Sequence, residues 1–267
     1  LRRALARGVV ARPRGQRDYL QDDFFGVLEV DKFRVGEQTT ANVGSMIVAE
    51  GAWGSSGSEI EGNIGSFDVQ AFAFGATITA GSMGRVKSAG ELAGTFILTD
   101  PDAGGVPTFT VNSDFSARII SAVSIKKLKI KGDFTGSLEA PSIGSISAYS
   151  SLATMGATEI VASAGKLGTL KSTTGVYRDY AIVTDEAFSG ISVKAGKLGA
   201  DTVGIENVSI TAASIGKITV DLAADSRSAG VSLTGIRDSE FITTATGTAK
   251  GTQGSIANVT VKLKGGA

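Results

Sequence analysis

The chain has no cysteine and no histidine among its 267 residues. Disulfide staples, thiolate zinc sites, cysteine nucleophiles and every histidine-dependent triad are therefore excluded. A phosphate-binding loop, a dinucleotide-binding turn and a nucleophile elbow are missing as well. No apolar run approaches the roughly 18 to 20 residues that a membrane helix requires, so no transmembrane segment is expected. Only 4 prolines and 6% aromatic residues stand beside 36 glycines and a hydrophobic content of 42%. Small and β-branched side chains must supply most of the apolar surface, which suits many short strands joined by tight turns.

The formal charge is zero but unevenly placed. Arg2, Arg3, Arg7, Arg12, Arg14 and Arg17 lie in a stretch without a single acid, and removing these six from the 26 Lys and Arg leaves fewer basic residues than the 26 acidic ones. Residues 1–20 read as a basic, solvated segment with a short helix over residues 2–9. The mildly acidic body disfavours nucleic acid as a partner, because phosphate binding needs clustered Lys and Arg.

What the chain does contain is a repeat. A seven-residue phrase, apolar-x-Ala-x-(Ser or Lys)-apolar-Gly, begins at Ile78, Leu138, Ala162, Val193 and Ile210, and a sixth copy from Ile120 carries Lys126 in place of the glycine. The starts fall at unequal intervals, as expected for one coil, sometimes two, with loops of varying length. A second phrase, apolar-Gly-x-apolar-x-apolar, continues from it at Ile143 and Ile215, with related text at Val43, Ile64, Met83 and Leu167 and, without the glycine, at Ile256.

Strand geometry gives these phrases a meaning. The two-residue spacing of Leu128 and Ile130, and of Leu138 and Ala140, puts both side chains on one face, with Lys129 and Glu139 turned to solvent. The three-residue step from Ile143 to Ile146 breaks the alternation and calls for a bend, which the intervening Gly144 permits. The clearest coil runs from Ile125 to Ile143, with Leu128, Ile130, Phe134, Leu138 and Ala140 inward. The coil from Met83 repeats the scheme with Val86, Leu92, Phe96 and Leu98, and only Ser88 interrupts the apolar series. About five inward residues per coil, at roughly 1.5 to 3 kcal/mol each when fully buried, offset ordering entropy only when neighbouring coils cover them.

The fold class that follows is all-β: a right-handed parallel β-helix with coils of roughly 18 to 24 residues and a few inserted loops, forming a single solenoid over residues 21–267. Leucine-rich repeats share the apolar-x-x-apolar-x-apolar phrase but want leucine and asparagine where glycine and alanine stand here. Left-handed β-helices repeat hexapeptide units in coils of constant length, which the longer intervals from Leu138 to Ala162 and from Ala162 to Val193 do not keep.

These phrases resemble the glycine- and serine-rich β-helical repeats of bacterial surface and secreted proteins, including adhesins, autotransporter passengers and surface-layer components. The resemblance is one of pattern and covers most of the chain, from the phrase at Val43 to Val261. It implies an extracellular or cell-surface location and a role in display, adhesion or lattice formation. The partners it implies are other copies of the chain, or neighbouring surface proteins, joined end to end or by edge strand pairing.

Three segments stand out as candidate sites. Tyr177, Arg178, Asp179 and Tyr180, in a long interval between phrases, could stack on and hydrogen-bond a glycan, or form an inserted loop packed on its own aromatics. Trp53, within a glycine- and serine-rich stretch, reads either as a sugar platform or as a loop residue covering the first coils. Asp100 and Asp102, followed by Ala103, Gly104 and Gly105, carry the ingredients of a Ca²⁺ loop and equally those of a simple turn. No cofactor is expected beyond that Ca²⁺. Asn207 and Asn258 begin glycosylation sequons, both in expected strands. The acids Asp201, Asp221, Asp225 and Asp238, with Arg237 or Lys217, are the raw material for a polysaccharide lyase or hydrolase, but no pair has a spacing that defines a catalytic face. The sequence thus points to a non-catalytic structural or adhesive module, with a polysaccharide-binding or polysaccharide-cleaving β-helix, of the lyase, hydrolase or phage tailspike type, as the alternative.

Overall fold

Alternating burial along the short strands sets the architecture. In Lys127–Ile130 and Thr95–Leu98 every second side chain is buried and the others face outward, the signature of a strand with one dry face. A computed structural model describes residues 17–20, 28–30, 43–54, 58–102, 106–149, 151–152, 158–173, 177–227, 230–245 and 254–265. The described residues form 21 strands and no helix. The strands within each unit pair in parallel and in register from coil to coil, which makes the fold a parallel β-helix. Residues 1–16, with the helix expected over 2–9, lie outside the described residues.

The chain divides into two compact units, the first comprising Leu1–Lys131 with Gly136–Pro141 and the second Gly132–Thr135 with Ser142–Ala267. The first holds β1 (Arg17–Leu20), β2 (Leu28–Val30), β3 (Val43–Trp53), β4 (Ser58–Phe72), β5 (Thr77–Ser88), β6 (Thr95–Leu98), β7 (Thr108–Val111), β8 (Arg118–Ser121), β9 (Lys127–Ile130) and β10 (Ser137–Ala140). Phe67, Val86, Phe109 and Leu128 stand over one another on successive coils. Ile78, Phe96, Ile119 and Leu138 form a second column. Each step along these two columns falls within the coil length that the sequence spacing predicts. The coil interior is lined with rings: Trp53 lies edge-on to Phe67 at 5.5 Å, and Phe72 and Phe96 are 4.5 Å apart.

The second unit holds β11 (Ile143–Ala148), β12 (Ser151–Leu152), β13 (Thr158–Ala162), β14 (Leu167–Ser172), β15 (Tyr177–Thr184), β16 (Ala187–Leu198), β17 (Thr202–Ala212), β18 (Ser214–Ala224), β19 (Leu233–Arg237), β20 (Glu240–Thr243) and β21 (Ile256–Lys264). Ile143, Leu167, Phe188, Ile215 and Ile256 form one column, and Ile146, Leu170, Ile191, Ile218 and Val259 run beside it. Its later coils outgrow the expected length, in the steps from Tyr180 to Val208, from Ile210 to Phe241 and from Ile218 to Val259. In the first unit the steps from Tyr19 to Ile47 and from Leu28 to Ser58 do the same.

Packing explains the phrases. Leu128, Ile130, Phe134, Leu138, Ala140 and Ile143 are all buried, and so are Val86, Leu92, Phe96 and Leu98. Ser88 holds its inward place fully buried because its hydroxyl donates to the Gly90 carbonyl at 2.9 Å. The sixth phrase sits one residue earlier than its text: Ile119, not Ile120, stands over Leu138, and Ser121 is buried with its hydroxyl donating to the Val123 carbonyl. The glycine in the second phrase serves close approach rather than an unusual φ. A Cβ on Gly84 would lie 2.5 Å from the Gly65 carbonyl of the coil before, and one on Gly168 would collide with the Gly144 carbonyl.

Candidate functional site

Three successive coils of the second unit turn the same corner in register. Tyr177-Arg178-Asp179-Tyr180 of β15 lies beside Ile205-Glu206-Asn207-Val208 of β17, and Ile205 and Glu206 lie beside Ile236 and Arg237 of β19. At each corner one residue adopts a left-handed backbone: Asp179 at φ 58°, Asn207 at 51° and Asp238 at 48°. Asp and Asn tolerate this region better than other side-chain-bearing residues, because their short polar groups bond locally. The bend lets two apolar residues three apart both face inward, so Tyr177, Tyr180, Ile205 and Val208 are buried. The residues between them are turned outward.

Those outward residues build a ladder across the coils. Arg178 Nε lies 2.6 Å from Glu206 Oε2, and Arg237 Nη2 donates to Glu206 Oε1. Asn207 Nδ2 donates to Asp179 Oδ1 at 2.6 Å, and Asp238 Oδ2 stands 3.8 Å from Arg237 Nε. Together Arg178, Asp179, Glu206, Asn207, Arg237 and Asp238 line a shallow, open depression. The hydrogen bond from Arg237, aided by the charges of both guanidiniums and opposed by partial burial, holds the Glu206 carboxyl below its ordinary pKa. Glu206 in turn raises Arg237 through the same bond. A carboxylate held in this way stays ionised and accepts hydrogen bonds; it is not poised to donate a proton near neutrality.

Two of the four residues expected to bind a glycan here are interior. Tyr180 stacks on Phe134 with centroids 5.6 Å apart, and its hydroxyl donates to the Phe134 carbonyl. Tyr177 packs edge-on to Tyr180, and its buried hydroxyl has no hydrogen-bond partner among the described residues. Burial, reinforced by Tyr180, pushes the Tyr177 phenol well above its ordinary pKa. The segment expected as an inserted loop is therefore strand from Tyr177 onward, and only Arg178 and Asp179 reach the depression. Residues 174–176 and 103–105 lie outside the described residues. Trp53 ends β3 fully buried against Phe67, a place that closes its ring to a sugar. Asp100 Oδ1 accepts the Asp102 amide at 2.8 Å, the bond of a simple turn. Among the described residues no group of three or more Asp, Glu, His or Cys gathers to hold a metal ion. Of the scattered acids and bases, only Arg237 and Asp238 line the depression; Asp201 and Asp225 accept backbone amides of Ser232 and Arg227.

Glu206 carried no signal of its own in the sequence. The three-residue step Tyr177-x-x-Tyr180-x-Ile182 matches Ile205-x-x-Val208-x-Ile210, and aligning those two stretches brings Glu206 beside Arg178.

A second feature is apolar. Val259, Val261 and Leu263 of β21 stack over Ile218, Val220 and Leu222 of β18. The β18 residues are 0% exposed, whereas their β21 neighbours are 49%, 43% and 44% exposed. Val261 still turns into the coil interior, where its methyls lie against Gly235 of β19. Among the described residues β21 pairs only with β18, and no helix is long and apolar enough to cross a membrane. No family model, curated protein or solved structure matches this chain.

Proposed function

We propose that the chain is a non-catalytic structural or adhesive module of a secreted or cell-surface assembly, which associates through the edge of β21. The observation that carries this reading is the inward apolar set of β21, nearly half exposed while the same positions one coil earlier are dry. Half-burial of three aliphatic side chains forgoes roughly half of the 1.5 to 3 kcal/mol that each contributes when fully buried. A neighbouring strand on that edge recovers it and satisfies the open backbone groups. The depression is compatible with this reading: Glu206, held by two guanidiniums below its ordinary pKa, stays ionised near neutrality and is not poised as a general acid. Sedimentation velocity from micromolar to millimolar concentration tests the proposal: association that Val261→Glu abolishes is expected, and a monomer throughout overturns it.

A polysaccharide-binding reading rests on one observation, the fixed display of Arg178, Asp179, Asn207 and Asp238 around the depression. A glycan panel tests it, with binding lost in Arg178→Ala as the expected result. No binding and no reducing ends or unsaturated products across the panel would remove this reading.

A further inference from the structure

On one sheet of the first unit the outward residues of three successive coils stand in rows. Val86 of β5, Phe109 of β7 and Leu128 of β9 form a dry column, so their strand neighbours turn to solvent. Arg85, Thr108 and Lys127 make one outward row, and Lys87, Thr110 and Lys129 the other. The cations are exposed and the threonines between them half-buried. Two cations on one strand are about 6.6 Å apart, and the two strands that carry them lie two coil steps, about 9.6 Å, from each other. Those separations are close to the roughly 8 Å screening length at physiological salt, so their fields add over the face. β9 itself lies in a lysine-rich stretch, Lys126 to Lys131, of the composition that marks polyanion-binding patches.

Two charged ladders of the second unit are compensated, whereas this one is not. Glu206 stands between Arg178 and Arg237, and Asp221 between Lys194 and Lys262. Here threonine takes the middle coil instead of an acid. Asp68 reaches Arg85 at 2.9 Å from the coil before, in an exposed pair of small energy. Among the described residues no carboxylate pairs with Lys87, Lys127 or Lys129. We infer that this face binds a linear acidic polysaccharide, whose carboxylates or sulfates are held by Lys87, Lys127 and Lys129 and whose hydroxyls meet Thr108 and Thr110. A glycan fits better than a nucleic acid. No outward position of the three strands is aromatic, which leaves bases nothing to stack on, and the broad face of a sheet offers no helix or ribbon to enter a groove. The face belongs to the first unit and rests on neither the β21 edge nor the depression, which are features of the second.

The probes are heparin, which is sulfated, and polygalacturonate, which is carboxylated, each titrated calorimetrically into the full chain at several salt concentrations. Binding to at least one is expected, with an affinity that falls steadily as salt rises. The preferred probe tells whether sulfate or carboxylate is the anion recognised. Lys127→Gln/Lys129→Gln should weaken that binding at least about tenfold. Lys166→Gln/Lys197→Gln removes the same charge from exposed positions of the second unit and should change it less than about twofold. All four lysines are exposed, so urea midpoints of both double variants should match that of the unmodified chain. Arg178→Ala, which probes the depression, should leave this binding unchanged. No binding to either probe, equal losses in the two double variants, or equally tight binding of single-stranded DNA would overturn the inference. A loss in Arg178→Ala without one in Lys127→Gln/Lys129→Gln would also overturn it, and would assign the glycan to the depression.

Discussion

Tyr177 and Tyr180 share a coil and a buried environment, yet the same substitution should shift stability in opposite directions at the two. Tyr180→Phe keeps the stacked ring but deletes the hydroxyl that donates to the Phe134 carbonyl. A buried hydrogen bond of this kind contributes about 0.5 to 1.5 kcal/mol, and that much should be lost. Tyr177→Phe keeps the edge-on ring contact but removes a buried hydroxyl without a partner among the described residues. Burying such a group costs about 1 to 3 kcal/mol, so its removal should leave stability unchanged or raise it by up to that amount. The variants should therefore differ by about 2 kcal/mol. Urea unfolding of the unmodified chain and both variants measures this difference, with midpoints compared at constant slope. Alkaline absorbance titration gives an independent check. The Tyr177 phenol is raised, so the folded state holds its proton more tightly than the unfolded state does; its contribution is complete below the unfolded phenol pKa and declines as pH rises through it and above. A loss of stability in Tyr177→Phe equal to that in Tyr180→Phe would show that the Tyr177 hydroxyl has a partner after all.

Gly168→Ala would place a methyl group against the Gly144 carbonyl, and a loss of about 1 to 3 kcal/mol by denaturant unfolding is expected. Phe96→Ala empties the centre of the ring cluster formed with Phe67, Phe72 and Phe109, and should cost about 3 to 5 kcal/mol by the same measurement. Glu206→Gln removes a carboxylate whose folded pKa is depressed, so the stability it supplies is present above the unfolded carboxylate pKa and lost as pH falls through the depressed value. The unmodified chain should be slightly more stable than this variant at neutral pH and equal to it in strong acid, as read by unfolding midpoints at both ends.

The repeat was legible because its physics is local. Strands of the Leu128-x-Ile130 kind show their dry face through period two, and Ile143-x-x-Ile146 shows a corner through period three. Register was less legible: Ile119 and Ile120 are equally apolar, and only the neighbouring coils decide which points inward. The second-phrase glycines were found, but their reason was not, since a close carbonyl such as that of Gly65 beneath Gly84 belongs to a residue one whole coil away. The depression was half legible. Arg178 and Asp179 stood out by composition, whereas Glu206 meets Arg178 on one side and Arg237 on the other only through two of the longer coils, whose lengths no local spacing announces. The aromatic segment read as a loop because it falls in a long interval between phrases, although Tyr177 and Tyr180 keep the same three-residue step as the other corners. Trp53 shows the converse: its glycine- and serine-rich surroundings suggest a surface, yet the ring is packed inside.

Residues far apart in sequence stand side by side on successive coils, and paired thiols read this out without any other assumption. Lys87 and Thr110 are register partners on neighbouring strands. Their Cα atoms should lie about 4.8 Å apart, within disulfide range. Arg85, and not Lys87, is the partner of Thr108. Oxidation of the double variant Lys87→Cys/Thr110→Cys should give an intramolecular disulfide in monomeric chains, while Lys87→Cys/Thr108→Cys stays largely reduced. Equal crosslinking of the two pairs, or preferential crosslinking of the second, would contradict the stacked register on which the fold rests.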